Sequence, residues 1–355
     1  MLDDSRVAMA DVTWSHQVVR GIGQFLALKD TWDHLWALSK GPGRTFLRHD
    51  WIRNWLQFRS NHTPLIGLIY RDRQLVAIVP LCERVDRGVW KTVAFLGRQD
   101  ADYHGIIVDS RVEDDAVYRY VKGVVEGLRR GQSVVRMEEA ISGHPLHRTF
   151  SHWETAQRQR CPYIDTSQSW PDYHRRICDQ DVRRKTRKAE ALGPLHYGVV
   201  KTPDQIDPFL DEFFNAHQRR WDQTATPSRF HQDNDRRFCR QVAHDLFPSG
   251  SMHLAYLTIA GQRVAYFYGF REEERLCMYL LAFDPDFARV SIGKVFLYQL
   301  ICQEYGRYRI IDLLRGSEPY KDHWATDVAI NESLVAYRSR LHRTLFTLYD
   351  KWGRK

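Results

Sequence analysis

Hydrophobic and polar positions along the chain run through the same order of elements twice. In the second half, Met252-His253-Leu254-Ala255-Tyr256-Leu257-Thr258-Ile259 is rich in strand formers, Ala260-Gly261-Gln262-Arg263 reads as a turn, and Val264 to Phe270 returns. This predicts a β-hairpin. Leu276 to Phe283 is nearly all apolar, as suits a strand buried on both faces. Asp284-Pro285 ends it, because proline removes a donor and restrains the residue before it. Ile292, Phe296, Leu300 and Ile301 then recur at helical spacing, Gly306 closes that helix, and Arg309 to Leu314 is the next strand.

The first half repeats the pattern. Leu65–Tyr70 and Leu75–Pro80 predict a hairpin about the turn Arg71-Asp72-Arg73-Gln74, followed by strands at Val89–Leu96 and Ile106–Val108, a helix over Asp115–Arg129 and a strand at Ser133–Met137. Such internal similarity suggests duplication of one α/β unit. The boundary is expected near Cys161-Pro162-Tyr163-Ile164-Asp165-Thr166-Ser167, dividing the chain into 1–163 and 164–355. Between boundary and hairpin, an amphipathic helix runs from Pro208 to Trp221, and the polar loop Thr224–Arg229 would cover a groove. The tail from Leu334 onward would pack back across the first half.

A length of 355 residues suits two domains, and 43% hydrophobic with 27% charged residues is ordinary globular composition. No apolar run reaches the ~20 residues of a transmembrane helix, so none is expected. Met1–Asp30 contains acids and no long apolar stretch, so no signal peptide is expected. The six cysteines are scattered without CxxC spacing, which reads as reduced, mostly buried thiols of a cytoplasmic protein. His144, His147 and His152 lack cysteine or carboxylate partners at ligand spacing, so no metal is expected.

Charge changes the picture in one place. The net charge is +8, and Arg175, Arg176, Arg183, Arg184, Lys185, Arg187 and Lys188 crowd a single segment. Such a run is either a solvated helix face or a patch that attracts nucleotides, phosphates, nucleic acid or anionic lipid.

The segment Arg289-Val290-Ser291-Ile292-Gly293-Lys294 is the candidate binding loop. A helix N-terminus carries unpaired N–H groups and a partial positive charge. Gly293 lets a phosphate approach the backbone, and Arg289 and Lys294 add full charges, which together suit a pyrophosphate. The same residues also suit a surface helix capped by Ser291. The corresponding first-half helix opens with Glu113-Asp114-Asp115, acids that would repel a pyrophosphate, so one site is expected and in the second half.

Several blocks carry a family resemblance over most of the chain: Phe46-Leu47-Arg48-His49-Asp50-Trp51 with Trp55, Asp102-Tyr103-His104-Gly105, His217 with Arg220-Trp221, Ser291-Ile292-Gly293, Asp312-Leu313-Leu314-Arg315-Gly316 and Tyr320-Lys321-Asp322-His323-Trp324. With these the chain resembles the GNAT-like acetyltransferases of the CelD/BcsL type, associated with cellulose and exopolysaccharide biosynthesis, and is similar in architecture to the FemABX peptidyltransferases. The resemblance implies an α/β (α+β) fold of two tandem GNAT-like units, with mixed, mostly antiparallel sheets flanked by helices. The first unit would shape the acceptor side. The second would bind acyl-CoA, acetyl-CoA in the first instance, and carry out catalysis. It implies a donor thioester and an amine or hydroxyl acceptor, small or sugar-linked, with no nucleic acid partner outside the FemABX-type reading. In that reading the donor is aminoacyl-tRNA and Arg175–Lys188 tracks its phosphates. A non-catalytic scaffold is a third reading.

Amide formation from a thioester needs a neutral amine, a stabilised oxyanion and a departing thiolate. Leu281-Ala282-Phe283 on a splayed strand would offer backbone N–H groups to the thioester carbonyl. Asp312, near the end of the strand after the cofactor helix, would take the acceptor's proton or else serve as a structural carboxylate. Glu318 is the alternative base, and His217 has a suitable intrinsic pKa. Lys321, which in FemABX-like blocks lies at the reaction centre, would neutralise developing negative charge. Asp102, Tyr103, His104, Trp221 and Tyr320 are candidates for acceptor contact.

Overall fold

The computed structural model describes residues 12–59, 61–86, 90–129 and 134–352. The first eleven positions of the segment read for a leader, and Val89 and Ser133 at the starts of two expected strands, lie outside the described residues. The first half contains β1 (Trp14–Arg20), α1 (Ile22–Leu26), α2 (Lys29–Leu38), α3 (His49–Phe58), β2 (Thr63–Arg71), β3 (Gln74–Asp86), β4 (Trp90–Phe95), β5 (Ile107–Val108), α4 (Asp115–Arg129), β6 (Val134–Ile141), α5 (Pro145–Phe150) and β7 (Glu154–Asp165). The second half contains α6 (Trp170–Ile177), α7 (Gln180–Glu190), β8 (Leu195–Val199), α8 (Ile206–Trp221), α9 (Asp233–Leu246), β9 (Met252–Ile259), β10 (Gln262–Arg271), β11 (Arg275–Phe283), α10 (Ile292–Glu304), β12 (Ile310–Asp312), α11 (Pro319–Trp324), β13 (Asp327–Tyr337) and α12 (Arg340–Trp352).

Among the described residues the strands form one mixed sheet in the order β1-β2-β3-β4-β6-β13-β7-β12-β11-β10-β9-β8, with β5 beside β3. Only β4·β6 and β11·β12 pair in parallel. Each parallel pair is joined through a helix, α4 or α10, as parallel strands require. The fold class is thus the mixed α/β arrangement the sequence implied, although the two expected sheets are fused into one.

The fusion comes from an exchange. β7 follows the first half in sequence, yet it pairs with β12 through Tyr163↔Asp312 and Asp165↔Ile310. β13 follows the second half, yet it pairs with β6 through Tyr337↔Val134 and Asn331↔Ile141. β7 and β13 then pair with each other from Tyr163↔Asp327 to Glu154↔Val335. Each half is completed by the other's last strand. The stretch Cys161–Asp165, where a boundary was expected, lies inside β7, and the sheet runs across it without a break.

Three large apolar clusters hold this sheet between helices. α4 turns Val117, Val121, Val124 and Val125 onto the first-half strands at helical spacing. α10 turns Ile292, Val295, Phe296 and Leu300 onto the second-half strands. The third cluster spans both halves, joining Trp51 and Trp55 of α3 to Phe238 of α9, Phe213 of α8 and Phe270 of β10. All six cysteines are free, and Cys82, Cys161, Cys239 and Cys277 are buried. No helix among the described residues is long and apolar enough to cross a membrane.

Candidate active site

The parallel pairing of β11 with β12 ends at Cys277↔Asp312, but β11 continues to Phe283. Beyond Asp312 the chain turns toward β7, where Leu313 N donates to Pro162 O at 3.0 Å. A wedge therefore opens along one edge of β11. Beside it lies a cavity of about 420 Å³. Leu281, Ala282 and Phe283 form one wall, Ser291, Gly293 and Lys294 the start of α10, and Tyr320 and Trp324 the α11 side, while Arg220 comes from the end of α8.

The helix start is shaped to meet this cavity. Ser291 is left-handed at φ 54°, ψ 48°, and its side chain makes no capping hydrogen bond to α10. Lys294 N already donates to Ser291 O at 2.9 Å, while the N–H groups of Ile292 and Gly293 have no backbone acceptor a turn earlier, so their partial positive charge is open to a ligand. Gly293 is required by close approach, since a Cβ there would stand 2.9 Å from the Phe283 ring. Of the six residues in the expected loop, Ser291, Gly293 and Lys294 line the cavity, Val290 and Ile292 are core, and Arg289 is exposed.

Lys294 does not point a free charge at a ligand. Its Nζ lies 2.9 Å from Asp181 Oδ2 of α7, and Arg184 and Lys185 each reach the same carboxylate at 2.7 Å. Lys185, Arg184 and Lys294 together hold Asp181 well below the usual carboxylate range. The bridge docks the basic helix α7 beside the start of α10, with Arg183, Arg184, Arg187 and Lys188 exposed.

Arg220 was visible in the sequence only as part of a resemblance block, yet it is the cation that faces the cavity. Its guanidinium sits 4.2 Å over the Phe283 ring and 5.5 Å over Trp221. Burial lowers its pKa, and among the described residues no carboxylate pairs with it. A half-buried unpaired cation on an aromatic face is a recognition group for an anion. His323 also lines the cavity and had no expected role at the site. Its Nε2 lies 3.2 Å from Ile177 O, and burial lowers its pKa.

The expected catalytic residues are not gathered at this cavity. Asp312 is fully buried, and three donors occupy its carboxylate. Tyr103 Oη donates to Oδ2 at 2.9 Å, Arg275 Nη1 to the same oxygen at 2.5 Å, and Leu314 N to Oδ1 at 2.8 Å. The carboxylate thus ties Tyr103 and Arg275 to the turn after β12. Lys321 is 5% exposed and folds back on its own loop, reaching Arg315 O at 2.7 Å and Glu318 Oε2 at 3.1 Å. Gly316, at φ 141°, leaves room for that ammonium, which would lie 2.6 Å from a Cβ there. His217 is buried and stacked on Trp221, with Nδ1 2.8 Å from Ser228 Oγ. Burial, then Arg220 and Arg229, pull its pKa down to about 4. It packs between Phe213, Phe230 and the half-buried Trp221.

Asp102, Tyr103 and His104 are buried between the halves and do not reach the cavity. Asp102 Oδ1 meets Arg315 Nε at 2.6 Å. Burial pushes its pKa up to about 7, with Arg315 and Lys321 opposing and Glu139 and Asp312 adding to the rise. His104 stacks on Phe95 at 5.5 Å, and burial holds it neutral with a pKa of about 4. Only Tyr320, 46% exposed, lines the cavity among the acceptor candidates, and Glu318, with 55% of its side chain exposed, precedes it on the same loop. No cluster of three or more metal-ligating side chains occurs among the described residues.

Residues 174–322, which include α10 and the cavity lining from Arg220 to Tyr320, match the model of the acetyltransferase (GNAT) domain. No curated protein matches the sequence. Among solved structures the chain is similar to FemX, at 8% identity with a TM-score of 0.64, covering 90% of this chain and 98% of that one. It is also similar to the C-terminal domain of a putative lysylphosphatidylglycerol synthetase from Agrobacterium fabrum, at 11% identity and a TM-score of 0.55, over 91% and 95% of the two chains. L-PGS from Bacillus licheniformis gives 12% identity and a TM-score of 0.52, over 88% and 92%. At these identities the likeness is one of fold. The protein has a GNAT-type acyltransferase fold.

Proposed function

We propose that the protein is an acyl-CoA-dependent N-acyltransferase, with acetyl-CoA as donor and an amine or hydroxyl of a small or sugar-linked acceptor, of the CelD/BcsL type in exopolysaccharide synthesis. One observation carries the reading: the cavity lies between the unpaired edge of β11 and the open N-terminus of α10. A pyrophosphate would take the first N–H groups of α10 and the Ser291 hydroxyl, with Arg289 nearby. The pantetheine arm would run along Leu281–Phe283 as an extra strand does, bonded through backbone groups. The acceptor nitrogen or oxygen would then attack the thioester carbonyl, forming the new bond as the carbon–sulfur bond breaks. In this reading the coenzyme A thiolate leaves, Glu318 beside the cavity receives the acceptor's proton, and Tyr320 contacts the acceptor.

The first half would bind no second donor. Asp114 Oδ1 already accepts from Ala116 N at 2.8 Å and Val117 N at 3.0 Å, so the start of α4 carries its own anion. The wedge between β4 and β6 is filled by the chain itself. Their pairing ends at Val93↔Val135, and His104 enters there, its ring stacking on Phe95 and its backbone N–H donating to Glu139 O at 3.2 Å. The division of labour between 1–163 and 164–355 rests on these two contrasts.

The exposed arginines of α7 beside the α10 start favour a second reading, an aminoacyl-tRNA donor of the FemABX type. Calorimetric titration with acetyl-CoA, longer acyl-CoAs and aminoacyl-tRNA separates the two. One acyl-CoA per chain supports the first reading. Binding of tRNA without CoA would replace it with the second.

A further inference from the structure

Helix α12 has two apolar faces, and among the described residues only one is covered. Phe346 is 5% exposed, packs with Val134 and Val335, and places its ring 5.8 Å from Trp90 and 6.1 Å from Tyr337. This contact seats the helix on the surface of β6 and β13. Leu341, Leu345 and Leu348 recur at i, i+4 and i+7, which puts them on one stripe. They are 65%, 44% and 55% exposed. The leucines are not needed to anchor the helix, because Phe346 does that from another face. Three large apolar side chains held together in water mark a contact surface rather than a scatter of single residues.

The surroundings of the stripe say what covers it. Segment 338–355 carries six arginines and lysines against one aspartate. Arg338 and Arg340 are exposed at the helix start, and among the described residues no carboxylate pairs with either. Helical spacing puts Arg340 on one flank of the stripe and Phe346 on the other. A protein partner fits poorly, because three leucines on a convex helix fall short of the ~800 Å² per partner of a specific interface. An apolar stripe with a cationic flank does fit a bilayer surface, where leucines enter the headgroup boundary and arginines meet lipid phosphates.

We propose that α12 docks the protein onto anionic membrane surfaces, lying in the interface through Leu341, Leu345 and Leu348 with Arg338 and Arg340 on lipid phosphates. The docking is reversible, since the stripe is short and no helix among the described residues is long and apolar enough to cross a membrane. It is independent of the donor chemistry above, because α12 contributes nothing to the cavity.

Co-sedimentation of the full chain tests this. The probes are vesicles of equal parts phosphatidylglycerol and phosphatidylcholine, and vesicles of phosphatidylcholine alone. The expected result is partitioning onto the anionic vesicles that weakens with added salt. Reversing Arg338→Glu with Arg340→Glu should lower it roughly tenfold, and Leu341→Ala with Leu345→Ala and Leu348→Ala roughly a hundredfold. All variants should keep the wild-type circular dichroism, because the changed leucines are exposed and alanine favours helix. Equal binding to both vesicle types would overturn the proposal, as would a folded triple-leucine variant that still binds like wild type. A concentration-dependent dimer in sedimentation velocity that the leucine variant dissolves would overturn it in favour of a second copy of the chain.

Discussion

Tyr103 and Asp312 meet across the two halves: the phenol hydroxyl donates to the carboxylate at 2.9 Å, with Tyr103 3% exposed and Asp312 not at all. The pair fastens the first-half loop to the last residue of β12, at the point where β11 and β12 part. Asp312 therefore sets the apex of the wedge that the cavity occupies, without facing the cavity itself.

That placement predicts how Asp312→Asn fails. Arg275 would lose its charge partner while most of its side chain stays covered, costing on the order of 3 kcal/mol of stability. Urea unfolding should show this loss, and Tyr103→Phe a smaller one of about 1 kcal/mol. A stable Asp312→Asn protein that binds acyl-CoA normally and has no turnover would instead return Asp312 to the role of general base.

Gly293→Asp should abolish acyl-CoA binding in a folded protein. Its Cβ would press on the Phe283 ring, and its carboxylate would sit where an anion is expected. A loss of at least roughly a hundredfold in affinity corresponds to about 3 kcal/mol. Wild-type calorimetry with this variant would remove the α10 start from the site.

Arg220→Gln should weaken binding of the anionic ligand about tenfold while shifting stability by less than about 1 kcal/mol, since no carboxylate is stranded and only the stacking on Phe283 is lost. Arg220→Lys should not restore binding, because an ammonium cannot lie flat on the ring and donate in the same plane. The KM values for donor and acceptor, measured separately, identify which ligand Arg220 holds; unchanged values for both would end the assignment.

Asp102 gives a pH signature. Burial raises its folded pKa to about 7, above that of the unfolded chain. Between the two values the folded state holds more protons than the unfolded, so stability falls as pH rises from the ordinary carboxylate range to about 7. Asp102→Asn should flatten that slope in denaturation curves taken across the interval. An unaltered slope in the variant would show that Arg315 keeps the carboxylate ionised throughout.

Much of the fold could be read from alternation and turns, because those signals are local. The hairpin expected at Met252–Ile259 and Val264–Phe270 is β9 and β10, and Asp115–Arg129 is α4 to the residue. The exchange of β7 and β13 was not legible, since a strand's pattern reports which face is buried and not which neighbour it bonds. The same limit governs the site. Ser291 and Gly293 could be placed at a helix start from sequence because helix-start signals lie within a few consecutive residues. Asp312 and Lys321 looked reactive in sequence, but their partners Tyr103, Arg275 and the Leu314–Arg315 carbonyls appear only in three dimensions. Arg220 was underrated for the complementary reason: what distinguishes it is a missing partner.

The reciprocal placement of β7 and β13 also bears on how the protein comes into being. A chain made from its N-terminus presents the bare edge of β6 to the cell until β13, almost two hundred residues later, has left the ribosome. Through that interval β7 too lacks both of its eventual neighbours, β12 and β13. The nascent first half is thus an open-edged intermediate, the kind of species that aggregates or recruits chaperones. Translation speed through the second half, rather than any single contact, would then govern how much finished protein a cell obtains.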